Sequence, residues 1–141
     1  MDAGAKRSGR RVEELEIITR FVATVTEDPG ATIEFFRAQV TMYGASPIYQ
    51  RVMTELGYGQ EVEKILEGYQ QWDRKSILAA VPEEMVGRFY AWGTEEECRA
   101  KVREFYRAGV GTVVVAPLSY DAGEIQRTCE AFLPEEMGQE S

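Results

Sequence analysis

The sequence has no histidine, two cysteines and five prolines among its 141 residues. Without an imidazole, Ser-His and Cys-His nucleophilic sites are excluded, and the commonest transition-metal ligand is missing. Cys98 and Cys129 lie outside any C-x-x-C pattern and fall on apolar helical stripes. They read as small buried hydrophobes, with no disulfide and no metal site expected. No apolar stretch, that around Phe21 to Val25 included, approaches the ~18–20 residues of a membrane-spanning helix, so no membrane partner is expected. Lys6, Arg7, Arg10 and Arg11 are followed by no apolar segment placed as a secretory signal requires, which makes the expected location cytoplasmic. Chemistry in such a chain would take its reactive group from a cofactor.

What is present is a globular composition, 44% hydrophobic and 28% charged, with a net charge of −8. The length suits one domain over residues 1–141 with a single continuous core. An acidic balance argues against nucleic acid, whose binders gather Lys and Arg on one face.

Two segments have strand character. Leu15 to Val25, LEIITRFVATV, is rich in β-branched residues. One face carries Leu15, Ile17, Phe21, Ala23 and Val25; the other carries Ile18, Val22 and Thr24, with Arg20 as the exception. Thr112 to Ala116, TVVVA, has no polar face, as in parallel strands covered by helices on both sides.

Between and around them the signals are helical. MDAGAKRSGR reads as a helix end stopped at Gly9. Asp28-Pro29 and Ser46-Pro47 are helix starts, followed by Ile33, Phe36, Val40 and Tyr43, then by Tyr49, Val52, Met53 and Leu56 up to Gly57. Val62, Ile65, Leu66, Tyr69 and Trp72 form a third stripe after Gly59. Pro82-Glu83-Glu84 opens a short helix, and Phe89 to Trp92 reads as an apolar link. Thr94 with Glu97 makes a capping box, whose helix buries Cys98, Val102, Phe105 and Tyr106 and closes at Gly109. A last helix turns Ile125, Cys129, Phe132 and Leu133 inward, and 134–141 is a polar, loose tail. The reading is an α/β chain of about two parallel strands joined by a long, mostly helical crossover.

GAKRSGRR before the first strand, EDPGA after it, MYGASPIY, ELGYG, VPEEMV and WGTEEECRAKVREFYRAGVGTVVVAP, in this order, resemble the carboxy-terminal part of the luciferase-like family. That family comprises flavin- or F420-dependent oxidoreductases and monooxygenases on a TIM barrel. The resemblance implies a partial (β/α)8 barrel, with Leu15–Val25 as the seventh strand and Thr112–Ala116 as the eighth. A whole barrel takes about 250 residues, so the chain corresponds to a split subunit or truncated form. It implies F420 or FMN as cofactor, a small-molecule substrate, and a homo-oligomer or a complementary chain supplying the remaining strands. It brings no recognisable catalytic acid, base or nucleophile.

Barrel sites lie at the carboxy-terminal ends of strands, which points to Thr24, Thr26, Pro117 and Ser119 as cofactor-contacting residues. The plainer reading is that Pro117 ends a strand and Ser119 to Asp121 cap a helix. Glu95, Glu96 and Glu97 fit the first turn of a capped helix, where the dipole favours negative charge. Tyr43, Tyr49, Tyr58, Tyr69 and Trp72 suit core packing, a partner surface or a pocket lining. Arg20 either meets a buried anion or points to water at a sheet edge. A non-catalytic assembly or dimerisation module derived from the family is the alternative function.

Overall fold

The computed structural model describes residues 2–133 and 137; the tail proposed for 134–141 otherwise lies outside the described residues. Helix α1, Asp2–Ser8, stops at Gly9, whose φ of 68° places it in the left-handed region. Strand β1 spans Ile18–Val25, shorter than the sequence reading because a single 3₁₀ turn at Val12–Glu14 precedes it and Leu15 to Ile17 only lead in. Helix α2, Pro29–Gly44, starts where Asp28 accepts a hydrogen bond from the Ala31 N–H. Helices α3 (Pro47–Glu55), α4 (Gly59–Gln71), α5 (Arg74–Ala79) and α6 (Glu83–Phe89) complete the crossover.

The crossover delivers a strand that the sequence reading took for a link: β2, Tyr90–Gly93. Helix α7, Glu95–Arg107, then leads to β3, Thr112–Pro117, and α8, Ala122–Ala131, closes the order. Among the described residues the sheet therefore has three parallel strands rather than two, ordered β2-β1-β3. Val22 pairs with both Tyr90 and Ala116, so the central strand is tied on both edges. Strands β1 and β3 are paired but not consecutive, since β2 intervenes between them in the chain. The place of β2, on the far side of β1, departs from the sequential neighbours of a (β/α)8 barrel.

Strand alternation sorts β1 between two cores. Phe21, Ala23 and Val25 face α7 and α8, packing with Ala91, Cys98, Val102 and Ala131. Val22 and Trp92 face the helical crossover, where Phe36 stacks on Tyr90 with ring centroids 4.4 Å apart. Burial pushes the Tyr90 phenol well above its usual pKa, Tyr43 adds to this, and Arg20 opposes it. Helices cover both faces of the sheet around β2 and the carboxy-terminal half of β1.

Several stripe assignments fail at the surface. Met53 is buried in α3, but Tyr49, Val52 and Leu56 are exposed. Tyr43, Tyr69 and Tyr106 are also exposed, and Trp72, in a left-handed conformation at the end of α4, is 93% exposed. Tyr58 belongs to the core. In α8 the buried residues are Thr128 and Ala131; Ile125, Cys129 and Leu133 are exposed. Short helices on the rim of a small sheet bury one row of side chains, which is narrower than an apolar stripe.

Gly93 ends β2 at φ 119°, and a Cβ there would collide with the Glu97 carboxylate. That carboxylate accepts the Thr94 N–H at 2.8 Å, while the Thr94 hydroxyl accepts the Glu97 N–H at 3.3 Å. Gly93→Ala combines backbone strain with displacement of this cap, and should destabilise the fold by roughly 1–3 kcal/mol, read as a lower Tm. Arg20 is exposed on β1, so Arg20→Met should leave Tm unchanged or raise it. A loss above about 1 kcal/mol would show a buried ionic role instead.

Candidate functional site

In an open parallel sheet the crevice lies beyond the carboxy-terminal ends of strands whose connections leave in opposite directions. Here β1 sends the chain to one side, towards β2, and β3 lies on the other. The loops after β1 and β3 frame a cleft of about 240 Å³, lined by Thr24, Thr32, Phe35, Leu118 and Ser119, with Asp28, Asp121 and Glu124 at its polar side. Tyr120, 93% exposed, sets its ring edge against Phe35 at 5.2 Å.

The hydroxyls expected at the strand ends converge here, yet each is spent on holding the loops. Thr24 donates to the Leu118 carbonyl at 2.8 Å. Thr26 donates to Glu124 at 2.5 Å and accepts from the Asp28 N–H and the Thr32 hydroxyl. Ser119 donates to the other Glu124 oxygen and accepts from the Asp121 N–H. Asp121 in turn accepts the Glu124 N–H at 2.8 Å, capping α8. Thr128 continues the lacing, accepting the Val25 N–H at 2.8 Å and donating to the Glu124 carbonyl.

Thr24 and Ser119 thus line one cleft, and Thr26 joins them through Glu124. Pro117 does not. It lies with Val113, Val115, Thr128, Cys129 and Phe132 on another side of β3, because it pairs with Ala23, on the α7–α8 face, while the adjacent Thr24 points to the opposite face. The sequence reading missed Glu124, the residue that gathers these hydroxyls. Its signal was the spacing Ser119-x-Asp121-x-x-Glu124, a helix start whose N3 carboxylate has acceptors to spare.

FMN and F420 both carry phosphate. The cleft presents Asp28, Asp121 and Glu124 with no Lys or Arg in its lining, and its volume falls below the roughly 300–1,000 Å³ of small-molecule sites. The residues present therefore do not fit either cofactor at this cleft. Glu95, Glu96 and Glu97 sit in the first turn of α7, with Arg99 on Glu95 at 2.9 Å and Arg103 on Glu96 at 2.6 Å. No metal-binding cluster occurs among the described residues, and no described helix is long and apolar enough to cross a membrane.

The class that fold and crevice define is an α/β protein with a parallel sheet opening at its strand ends. The family model for luciferase-like monooxygenases matches residues 1–112, and the chain belongs to that family. The match ends at the first residue of β3, so Pro117, Ser119 and Glu124 lie beyond it. No curated protein matches the chain.

The thiols offer a check on this region. Cys98 is buried at the start of α7 and its Sγ lies 3.6 Å from the Thr24 carbonyl, whereas Cys129 is exposed. Burial, then the Glu97 charge, pushes the Cys98 thiol up to about 11 from its ordinary 9.0. One thiol should react with a neutral-pH disulfide reagent in the native protein and two after denaturation. A folded pKa above the unfolded one favours the native state in full below pH 9 and loses that contribution as pH climbs towards 11. Cys98→Ala should remove this alkaline fall in stability, measured by denaturant melts across that window.

Proposed function

We propose that the chain works within a luciferase-like oxidoreductase or monooxygenase, as the carboxy-terminal portion of its barrel in a split or truncated form. The flavin or F420 that mediates hydride transfer is held mainly by residues from outside this chain, in the cytoplasm, and acts on a small-molecule substrate. The family match over residues 1–112 carries this reading. The parallel pairing of β1 with both β2 and β3 supports it, since barrel strands run parallel. Nothing in the acidic lining of the cleft would neutralise a cofactor phosphate, so cofactor binding falls to residues outside this chain.

A second reading, a non-catalytic assembly module, has its own observation. Met42, Ile48, Tyr49, Val52 and Leu56 leave much of their apolar surface exposed along α2 and α3, and Tyr43 packs on Tyr49 with ring centroids 4.7 Å apart. Exposed apolar and aromatic patches of this kind mark association surfaces.

Titration of the purified chain with FMN and with F420, followed by cofactor fluorescence, separates the readings. The chain alone should bind neither. Co-expressed with the amino-terminal portion of a luciferase-like barrel, it should retain one of them. Stoichiometric binding by the isolated chain would overturn the shared-site reading. Failure to bind in the complemented form would favour the assembly module.

A further inference from the structure

Aromatic rings follow one another from the strand-end cleft to the outer surface of the crossover helices. Phe35, in the cleft lining, has its ring centroid 5.7 Å from that of Phe36. Phe36 stacks on Tyr90 at 4.4 Å and meets the ring of Trp92 at 6.0 Å. Trp92 pairs across the sheet with Thr24, another residue of the cleft lining, and Tyr90 stands two positions before it on the same face of β2. From Tyr90 the path leaves the core. Tyr43 lies about two turns beyond Phe36 on the same side of α2, and its phenol is close enough to that of Tyr90 to raise the latter's pKa. Tyr43 then packs on Tyr49 at 4.7 Å. The measured contacts fall within the ~4.5–7 Å of packed aromatic pairs. Exposure rises along the path, from 4% at Tyr90 to 40% at Tyr43 and 44% at Tyr49.

We propose that Trp92, Tyr90, Tyr43 and Tyr49 form a relay that carries a one-electron oxidising equivalent from the strand-end cleft to solvent. The relay rests on the family reading in one respect, that oxygen chemistry takes place at the strand ends. A hydroxyl or alkoxyl radical formed there takes one electron and one proton from the Trp92 indole and leaves as water or the alcohol. An electron then passes from Tyr90 to Trp92, from Tyr43 to Tyr90 and from Tyr49 to Tyr43. Each donor gives up its phenolic proton and each acceptor regains one. At the surface a soluble thiol returns one electron and one proton to Tyr49, so the balance is one oxygen radical and one thiol converted to water or alcohol and a thiyl radical. Phe36, which is not oxidised, fills the space between Trp92 and Tyr90 and excludes water. Tyr90 is a way-point, because burial makes loss of its proton costly. Tyr43 and Tyr49 reach water that can take theirs, so the radical comes to rest on them.

The test uses the full chain carrying Cys129→Ser, Trp72→Phe and Tyr120→Cys, with a ruthenium polypyridyl photo-oxidant attached through the Tyr120→Cys thiol. Tyr120 sets its ring against Phe35 at the mouth of the cleft, Cys98 is buried away from the label, and Trp92 remains as the single tryptophan. Flash-quench oxidation should give a neutral tyrosyl radical, read by transient absorption and electron paramagnetic resonance. Trp92→Phe should abolish this tyrosyl signal. Tyr43→Phe combined with Tyr49→Phe, two changes at half-exposed positions, should leave an indolyl radical on Trp92 instead. A tyrosyl yield that survives Trp92→Phe overturns the relay, and so does one that survives loss of both surface tyrosines. Absence of any tyrosyl signal while the ruthenium is fully oxidised overturns it as well. The photo-oxidant stands in for the family's oxygen chemistry, so none of these results depends on the FMN and F420 titration, which tests the family function separately.

Discussion

The constraint on which the structure depends is the double pairing of β1. It is the one described strand with a neighbour on each edge, and its alternating side chains belong to two different cores. A slip of one residue would send Phe21 and Ala23 into the space of Val22, and would break both registers together. The helices on either side are held through it: α8 and α7 lie on Phe21, Ala23 and Val25, and α2 lies over Val22 beside Tyr90. Because β1 hydrogen-bonds on both sides, its backbone groups are satisfied within the sheet, and few of them remain for a ligand.

The same economy governs the carboxy-terminal end. Threonine and serine hydroxyls at the ends of parallel strands can meet a ligand or fasten loops. Here Thr24, Thr26 and Ser119 fasten loops, with Glu124 as the common acceptor. A hydroxyl donates one hydrogen, and a donor committed to Leu118 or Glu124 is not offered to a cofactor. The crevice is thus in the position where α/β sheets bind ligands, while its chemistry is that of a stabilised junction. Membership of an oxidoreductase family and a locally incomplete site are compatible when the site is shared with residues beyond this chain.

Much of this was legible in the residues. Asp28-Pro29 and Thr94 with Glu97 fix helix starts through bonds that span three residues, and both formed as read. That Thr112 to Ala116 forms a strand, and the two faces of β1, followed from composition and alternation. Strand β3 is not covered on both sides as its composition suggested: none of its residues is buried and Val114 is 48% exposed, because β3 is an edge strand among the described residues. Strand β2 was not legible: Tyr90 to Gly93 is four residues without alternation, and only pairing with Val22 to Val25 makes it a strand. Cys129 and Trp72 sit on apolar stripes yet face outward, Trp72 as the left-handed residue that ends α4. Pro117 and Ser119 are near in sequence, but Pro117 pairs with Ala23 on the α7–α8 face while Ser119 lies in the loop that turns back over the cleft.

The sequence by itself determined the capped helices, the strands β1 and β3, the family, and the net acidic charge, since caps, periodicity and charge act over a few residues. Only the tertiary structure decided the strand order β2-β1-β3, the partners of the strand-end hydroxyls and the exposure of the α2–α3 aromatics. Those outcomes depend on which surfaces meet across tens of residues of chain, a competition among non-local contacts that no short stretch of sequence encodes.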